Sequence, residues 1–173
     1  MSHTTLRAAT PADIPALSAL AISSFVDKFG DLYSPQDLAE FIAEALSEAN
    51  IARELASPDR LYRLAERSGE LLAFCKLGLS CGFPEYARGQ NVLELKQLYA
   101  GAAATGQGIG SALMDWAMAE FAARGADEVQ LSVYSGNDGA QRFYARYGFA
   151  KIADITFKVG EQLDPEFLYA KLL

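Results

Sequence analysis

Histidine is nearly absent from this chain: among 173 residues there is one, His3. A zinc site built on imidazole and a Ser–His–Asp triad are thereby excluded. Cysteine is almost as scarce, and Cys75 and Cys81 stand too far apart for a C-x-x-C redox or metal pair. No metal is expected, and Cys75, inside the apolar run "LLAFCKLGL", is expected to be a buried core thiol. No apolar stretch approaches the roughly 20 residues that cross a bilayer. The opening "MSHTTLRAAT" lacks the apolar core of a secretion signal. Both absences predict a cytoplasmic location, where thiols stay reduced. Positive charge is also short, 15 Lys and Arg against 22 Asp and Glu, for a formal net charge of -7. That balance argues against nucleic acid and anionic membrane as partners and weakly favours small cations. What the chain does have is 51% hydrophobic and 21% charged residues, the balance of one folded domain spanning 1–173.

The pattern along the chain reads as mixed α/β. A first strand is predicted over 4–8. Thr10, Pro11 and Asp13 then form a proline-led capping pattern. The helix behind it carries Leu17, Leu20, Ala21 and Phe25 at helical spacing. Ser34, Pro35 and Asp37 repeat the device and open a second helix that runs through about Glu48. Segments 60–67 and 70–80 read as a hairpin turning at Ser68–Gly69. A strand over 91–100, a helix ending near Arg124–Gly125, a strand over 127–135 and a short helix over 137–149 follow. "AKIADITFKV" and "EFLYAKLL" make two last strands. The order is βααββ and then βαβαββ, with one βαβ unit.

Residues 105–110 read "TGQGIG", and the helix "SALMDWAMAEFAARG" follows at once. A helix N-terminus offers unpaired N–H groups and a partial positive charge. Glycine lets a phosphate approach them with no Cβ in the way. A tight turn needs one or two glycines, so three at alternate positions point to a pyrophosphate cradle. Gly101 and Gly106 have P-loop spacing, but Gln107 stands where that motif needs lysine, and the P-loop reading fails. Ser111 replaces the third glycine of the dinucleotide fingerprint, and "QLSVYS" ends without its acid. A nucleotide-dependent oxidoreductase therefore stands only as an alternative.

"GQGIGSALM", preceded by "LELKQLYA" and followed by "NDGAQRFYARYGF", resembles the GNAT superfamily of acyl-CoA-dependent N-acetyltransferases. The family's loop has the form [QR]-x-x-G-x-[GA], matched by Gly108 and Gly110, while Thr105 departs at the first position. Its second element, N-x-x-A-x-x-F-Y-x-x-x-G-F, is matched in full by Asn137, Ala140, Phe143, Tyr144, Gly148 and Phe149. The N-terminal half, with "FGDLYSPQDLAEFI", is more loosely similar to the PaiA-type polyamine acetyltransferases. The resemblance implies a GNAT-like fold: a central, mostly antiparallel sheet with a βαβ acyl-CoA-binding unit, flanked by helices. It implies acetyl-CoA as co-substrate, and a strand bulge near Leu98–Ala100 beside which the pantetheine arm lies. The residues implied for the cofactor are Leu98, Tyr99 and Ala100, the loop Thr105, Gly106, Gln107, Gly108, Ile109, Gly110 and Ser111, and Asn137, Tyr144 and Arg146. A catalytically silent acyl-CoA-binding module of the same fold is the rival to an enzyme.

Acetyl transfer to an amine needs a base, because an alkylamine of pKa about 10.4 is protonated at neutral pH. Glu94, on the strand that ends at the cradle, is the candidate base. By alternation it shares a face with Val92, Lys96 and Leu98, and an ordinary exposed carboxylate is the competing reading. Tyr144 matches the family's acid, and a phenol of pKa about 10 can protonate a departing thiolate. An ordinary core aromatic is the competing reading there. Asn137 suits a helix N-cap. Arg146, four residues from Arg142, faces either the cofactor's 3′-phosphate or solvent.

Between Ala21 and Ala52 six acids, Asp27, Asp31, Asp37, Glu40, Glu44 and Glu48, face one base, Lys28. On one continuous helix Glu40, Glu44 and Glu48 would form an acidic stripe. The resemblance implies that this first helical region walls the acceptor pocket, and an acidic wall there would attract a cationic amine, for example a polyamine such as spermidine. A merely solvated face is the competing reading. A homodimer is allowed as the assembly.

Overall fold

The computed structural model describes residues 2–173. One seven-stranded sheet runs in the order β1-β2-β3-β4-β5-β7-β6. Its strands are β1 (Thr5–Ala8), β2 (Arg60–Arg67), β3 (Glu70–Gly78), β4 (Val92–Ala100), β5 (Glu128–Tyr134), β6 (Ala150–Val159) and β7 (Gln162–Leu172). Every neighbouring pair is antiparallel except β4 and β5. This is the mixed, mostly antiparallel sheet the resemblance implies.

Helices cover both faces. On one side lie α1 (Ile14–Phe29), α2 (Pro35–Phe41) and α3 (Glu48–Ala56); on the other lie α4 (Ile109–Ala123) and α5 (Asp138–Arg146). Strand alternation divides β3 between them. Phe74 packs with Leu17, Phe25 and Phe41, whereas Ala73 and Cys75 pack with Leu113, Met114 and Phe121. Cys75 is fully buried, and burial pushes its thiol up to about 12. The β2–β3 hairpin turns at Ser68 and Gly69, both with positive φ, as an I′ turn requires.

Two expectations need correction. The second helix does not run through to Glu48. It ends at Phe41, passes into one wide turn over Ile42–Leu46, and stops at Ser47, which is extended (φ -69, ψ 156). The Ser47 hydroxyl accepts from the Asn50 backbone N–H at 3.2 Å and caps a separate helix, α3. The acidic stripe is thereby broken, since Glu40, Glu44 and Glu48 fall in three different elements.

The strand bulge lies at Lys96 rather than near Leu98–Ala100. Leu77 pairs Leu95 and Lys76 pairs Gln97, which leaves Lys96 as the extra residue. The inserted residue flips the alternation of β4. Leu93 and Leu95 pack on the α4 side, and so do Leu98 and Ala100, while Tyr99 turns to the α1 side. Glu94 and Leu98 therefore do not share a face.

Candidate active site

Strands β4 and β5 pair only over Val92–Glu94 and Glu128–Gln130. Beyond Glu94 they part: β4 continues beside β3 alone, and β5 beside β7 alone. The ladder opens into a wedge with backbone groups on both inner edges. A cavity of about 370 Å³ occupies this wedge, within the size range of small-molecule sites. Of the residues expected at the site, Glu94, Leu98, Tyr99, Ala100, Asn137 and Tyr144 line it.

The glycine turn follows the end of β4 and precedes α4; none of residues 101–111 is among the residues that line the cavity. After a short turn at Ala102–Ala104, Gly106 and Gly108 both take φ 74, a left-handed conformation that side-chain-bearing residues adopt at a cost. Gly108 is the N-cap of α4 and has no side chain to satisfy the first-turn amides. A Cβ at Gly106, Gly108 or Gly110 would meet nothing within 4 Å, so the space over these amides is open. Ile109 differs: its side chain is buried in the core and anchors the helix start, leaving only its backbone to a ligand. Thr105 and Ser111 are exposed. Gln107 bends back, accepting from Arg67 Nη2 at 2.8 Å and donating to the Ala103 carbonyl.

Asn137 caps α5, its side chain accepting from the Ala140 N–H at 3.2 Å. That cap directs α5 so that Tyr144 looks into the wedge between Phe143 and Phe149. Burial first, then the neighbouring Cys75 thiol and Tyr99 phenol, hold the Tyr144 hydroxyl above the usual phenol range. It is a protonated donor at neutral pH. Arg146 does not join the cavity lining; it is exposed, with its guanidinium 5.7 Å from the Phe143 ring centre.

Glu94 stands at the apex of the wedge and is buried, 5% exposed. One of its carboxylate oxygens lies 2.6 Å from Lys96 Nζ, off the hydrogen-bonding direction. Gly82 packs directly on this carboxylate; a Cβ there would come within 2.6 Å of Oε1.

The wall on the α1–α2 side is not acidic. None of Glu40, Glu44 and Glu48 lines the cavity; Phe25, Phe29, Tyr33 and Phe41 do, with Lys28 as the charged residue of that wall. The carboxylate facing them comes from the opposite side, Glu166 on β7, which the sequence reading passed over. The available signal was an acid at the head of an otherwise apolar strand, "EFLYA". Burial, then the charge of Asp164, raises its carboxyl to about 7. Among the described residues four buried side-chain polar atoms lack a hydrogen-bond partner, and three of them, on Ser24, Glu94 and Glu166, line this cavity. Buried polar groups are ordinarily paired, so the concentration marks a ligand site.

Comparison with known proteins gives the family and the fold. A match to the acetyltransferase (GNAT) family spans residues 23–149. An uncharacterized N-acetyltransferase of Lactobacillus delbrueckii subsp. lactis is 27% identical over 161 residues, 93% of this chain and 92% of that protein. The aminoalkylphosphonate N-acetyltransferase of Salmonella typhimurium is 33% identical over 98 residues, 57% of this chain and 62% of that one. Among solved structures, PaiA N-acetyltransferase from Thermoplasma acidophilum, crystallised in complex with coenzyme A, superposes with a TM-score of 0.79 at 22% identity and covers 99% of both chains.

Proposed function

Since the chain belongs to the acetyltransferase (GNAT) family and takes its acetyl group from acetyl-CoA, we propose that it acetylates a small primary amine by direct attack on the thioester. The oxidoreductase alternative falls with that membership. In our reading the glycine turn holds the pyrophosphate, and the pantetheine arm lies along Leu98–Ala100 as a strand would. The amine nitrogen attacks the carbonyl carbon and its proton passes to Glu94, directly or through water. The C–S bond then breaks, and Tyr144 gives its proton to the departing sulfur. Release as thiol rather than thiolate lowers the charge that must develop.

One observation carries this reading. The ladder opens immediately after Glu94, so a carboxylate at the apex and a protonated phenol on α5 face one cavity from opposite sides. A silent binder has no need of that pair. The acceptor class we favour is a polyamine such as spermidine. Its support is no longer the broken stripe but the Glu166 carboxylate inside an aromatic wall. A second reading is an acceptor with an anionic group, as the name of the Salmonella relative says of that enzyme. Lys28, at the cavity and without an ion-pair partner among the described residues, supports it.

The test is amine-dependent thiol release from acetyl-CoA. The wild type should turn over. Tyr144→Phe should lose about 10²–10⁴-fold in kcat, the usual worth of a general acid, with acetyl-CoA affinity little changed. Unchanged kcat in Tyr144→Phe, with chemistry rate-limiting, removes the acid role. Tight acetyl-CoA binding without release across a broad amine panel makes the protein a binder.

A further inference from the structure

The cavity is wider than a thioester and one attacking nitrogen require, and its far side has a chemistry of its own. Phe25 stacks on Tyr33 at 5.8 Å between ring centres and touches Phe29 and Phe41 at 5.3 and 4.6 Å. Phe29 meets Tyr134 edge-on at 5.9 Å, and Phe41 meets Phe157 at 5.7 Å. The belt closes across the sheet, because Tyr134 and Glu166 are directly opposite on β5 and β7, and Phe157 and Asp164 are opposite on β6 and β7. Inside this belt the Glu166 Oε2 atom is buried and accepts no hydrogen bond.

Every other charge near it is committed or at the rim. Asp164 accepts from the Tyr33 hydroxyl and from Gln162 Nε2, the latter at 2.8 Å. Lys76 is 2.8 Å from Glu54, and Lys96 is 2.6 Å from Glu94. Lys28 is exposed. Tyr99 lies within charge range of both Glu166 and Tyr144, which places the belt beside the reacting end of the wedge.

We infer that Glu166 and the surrounding aromatic rings form a recognition subsite for an alkylammonium group of the acceptor other than the nitrogen that is acetylated. The inference rests on the amine-acetylation reading above. Aromatic faces attract a desolvated ammonium, and a carboxylate at the end of the cage supplies its counter-charge. Tyr33, Tyr99 and Tyr134 line the same space, and Asp164 lies within charge range of Glu166. Burial first holds the Tyr33 and Tyr99 phenols above the usual phenol range, so these two stay protonated near neutral pH. Glu166, held up to about 7, ionises when the cation arrives.

The test compares 1,4-diaminobutane with butylamine, a pair that differs only in the second amine, by thiol release from acetyl-CoA. The wild type should favour the diamine about 10- to 150-fold in kcat/KM, the range of a hydrogen bond to a charged group. Its KM for the diamine should fall as pH rises from about 6 to 8, as Glu166 ionises. Glu166→Gln should bring the ratio near unity and flatten that pH dependence, with the calorimetric affinity for acetyl-CoA unchanged. Equal use of the two amines by the wild type, or a preference that survives in Glu166→Gln, overturns the subsite while leaving amine acetylation standing. Failure of every amine, with acetyl-CoA bound, overturns the acetylation reading and the subsite with it.

Discussion

Gly110→Ala separates binding from folding at the glycine turn. Gly110 lies in the first turn of α4 with helical backbone angles, and a Cβ built on it meets nothing within 4 Å. Alanine there should bring no strain and no clash in the empty protein. It restricts the unfolded chain, which at a compatible site stabilises by about 0.4–1 kcal/mol. For a chain of this size each kcal/mol moves Tm by roughly 2–4 °C, so Tm should rise by about 1–4 °C. The same methyl group would stand over the open first-turn amides, where we place the pyrophosphate. Losing one hydrogen bond to a charged group costs about 1.5–3 kcal/mol, or roughly 10- to 150-fold in affinity. The perturbation thus has opposite signs in two assays: the apo melt moves up, and the calorimetric affinity for coenzyme A moves down. Gly108→Ala gives no such separation, because its φ of 74 makes any side chain costly in the fold itself. Coenzyme A binding to Gly110→Ala at wild-type strength refutes the placement of the pyrophosphate over this turn. A melt that falls by several degrees refutes the claim of an unstrained site.

Two further changes test the charges around the cavity. Glu94→Gln should lose kcat/KM most at low pH, because without the base the enzyme depends on the free-amine fraction, which drops about tenfold per unit below a pKa of about 10.4; a deficit equal at all pH values denies Glu94 the base role. Glu54→Gln should destabilise by about 3–5 kcal/mol, since it leaves the buried Lys76 ammonium without its counter-charge. Burial already holds Lys76 below the usual lysine range, against the pull of Glu54. The unfolded chain then binds more protons than the folded one as pH nears the ordinary lysine value. The stability deficit of Glu54→Gln should therefore shrink as pH is raised from 7 toward 10 in chemical denaturation, and a deficit constant with pH contradicts the charge explanation.

The elements legible in the sequence were those set by local chemistry. Ser68–Gly69 marks its own hairpin, Pro11 and Pro35 sit where the paired capping patterns put them, and the strand–glycine–helix order around residue 106 survives intact. What the sequence did not disclose depends on partners distant along the chain. The residues Ala39–Leu55 hold a helical period almost unbroken, so the cap at Ser47 competes with a plausible longer helix, and only packing decides. The bulge at Lys96 is fixed by pairing with β3, and one inserted residue is enough to separate Glu94 from Leu98. Glu166 reaches the cavity because β7 lies beside β5, a neighbour relation set by topology rather than by spacing.

The parting of β4 from β5 gives the molecule two leaves on a narrow spine. The first leaf holds β1 to β4 and the second β5 to β7, and the sheet's hydrogen bonds join them only along Val92–Glu94 and Glu128–Gln130. β1 lies in one leaf and β7 in the other, so tension applied between Thr5 and Leu172 crosses the sheet at that spine. A molecule lodged in the wedge and touching both inner edges carries load in parallel with those few pairs. Stiffness and occupancy are then linked, and a tether drawn between Thr5 and Leu172 becomes a gauge of what the wedge holds.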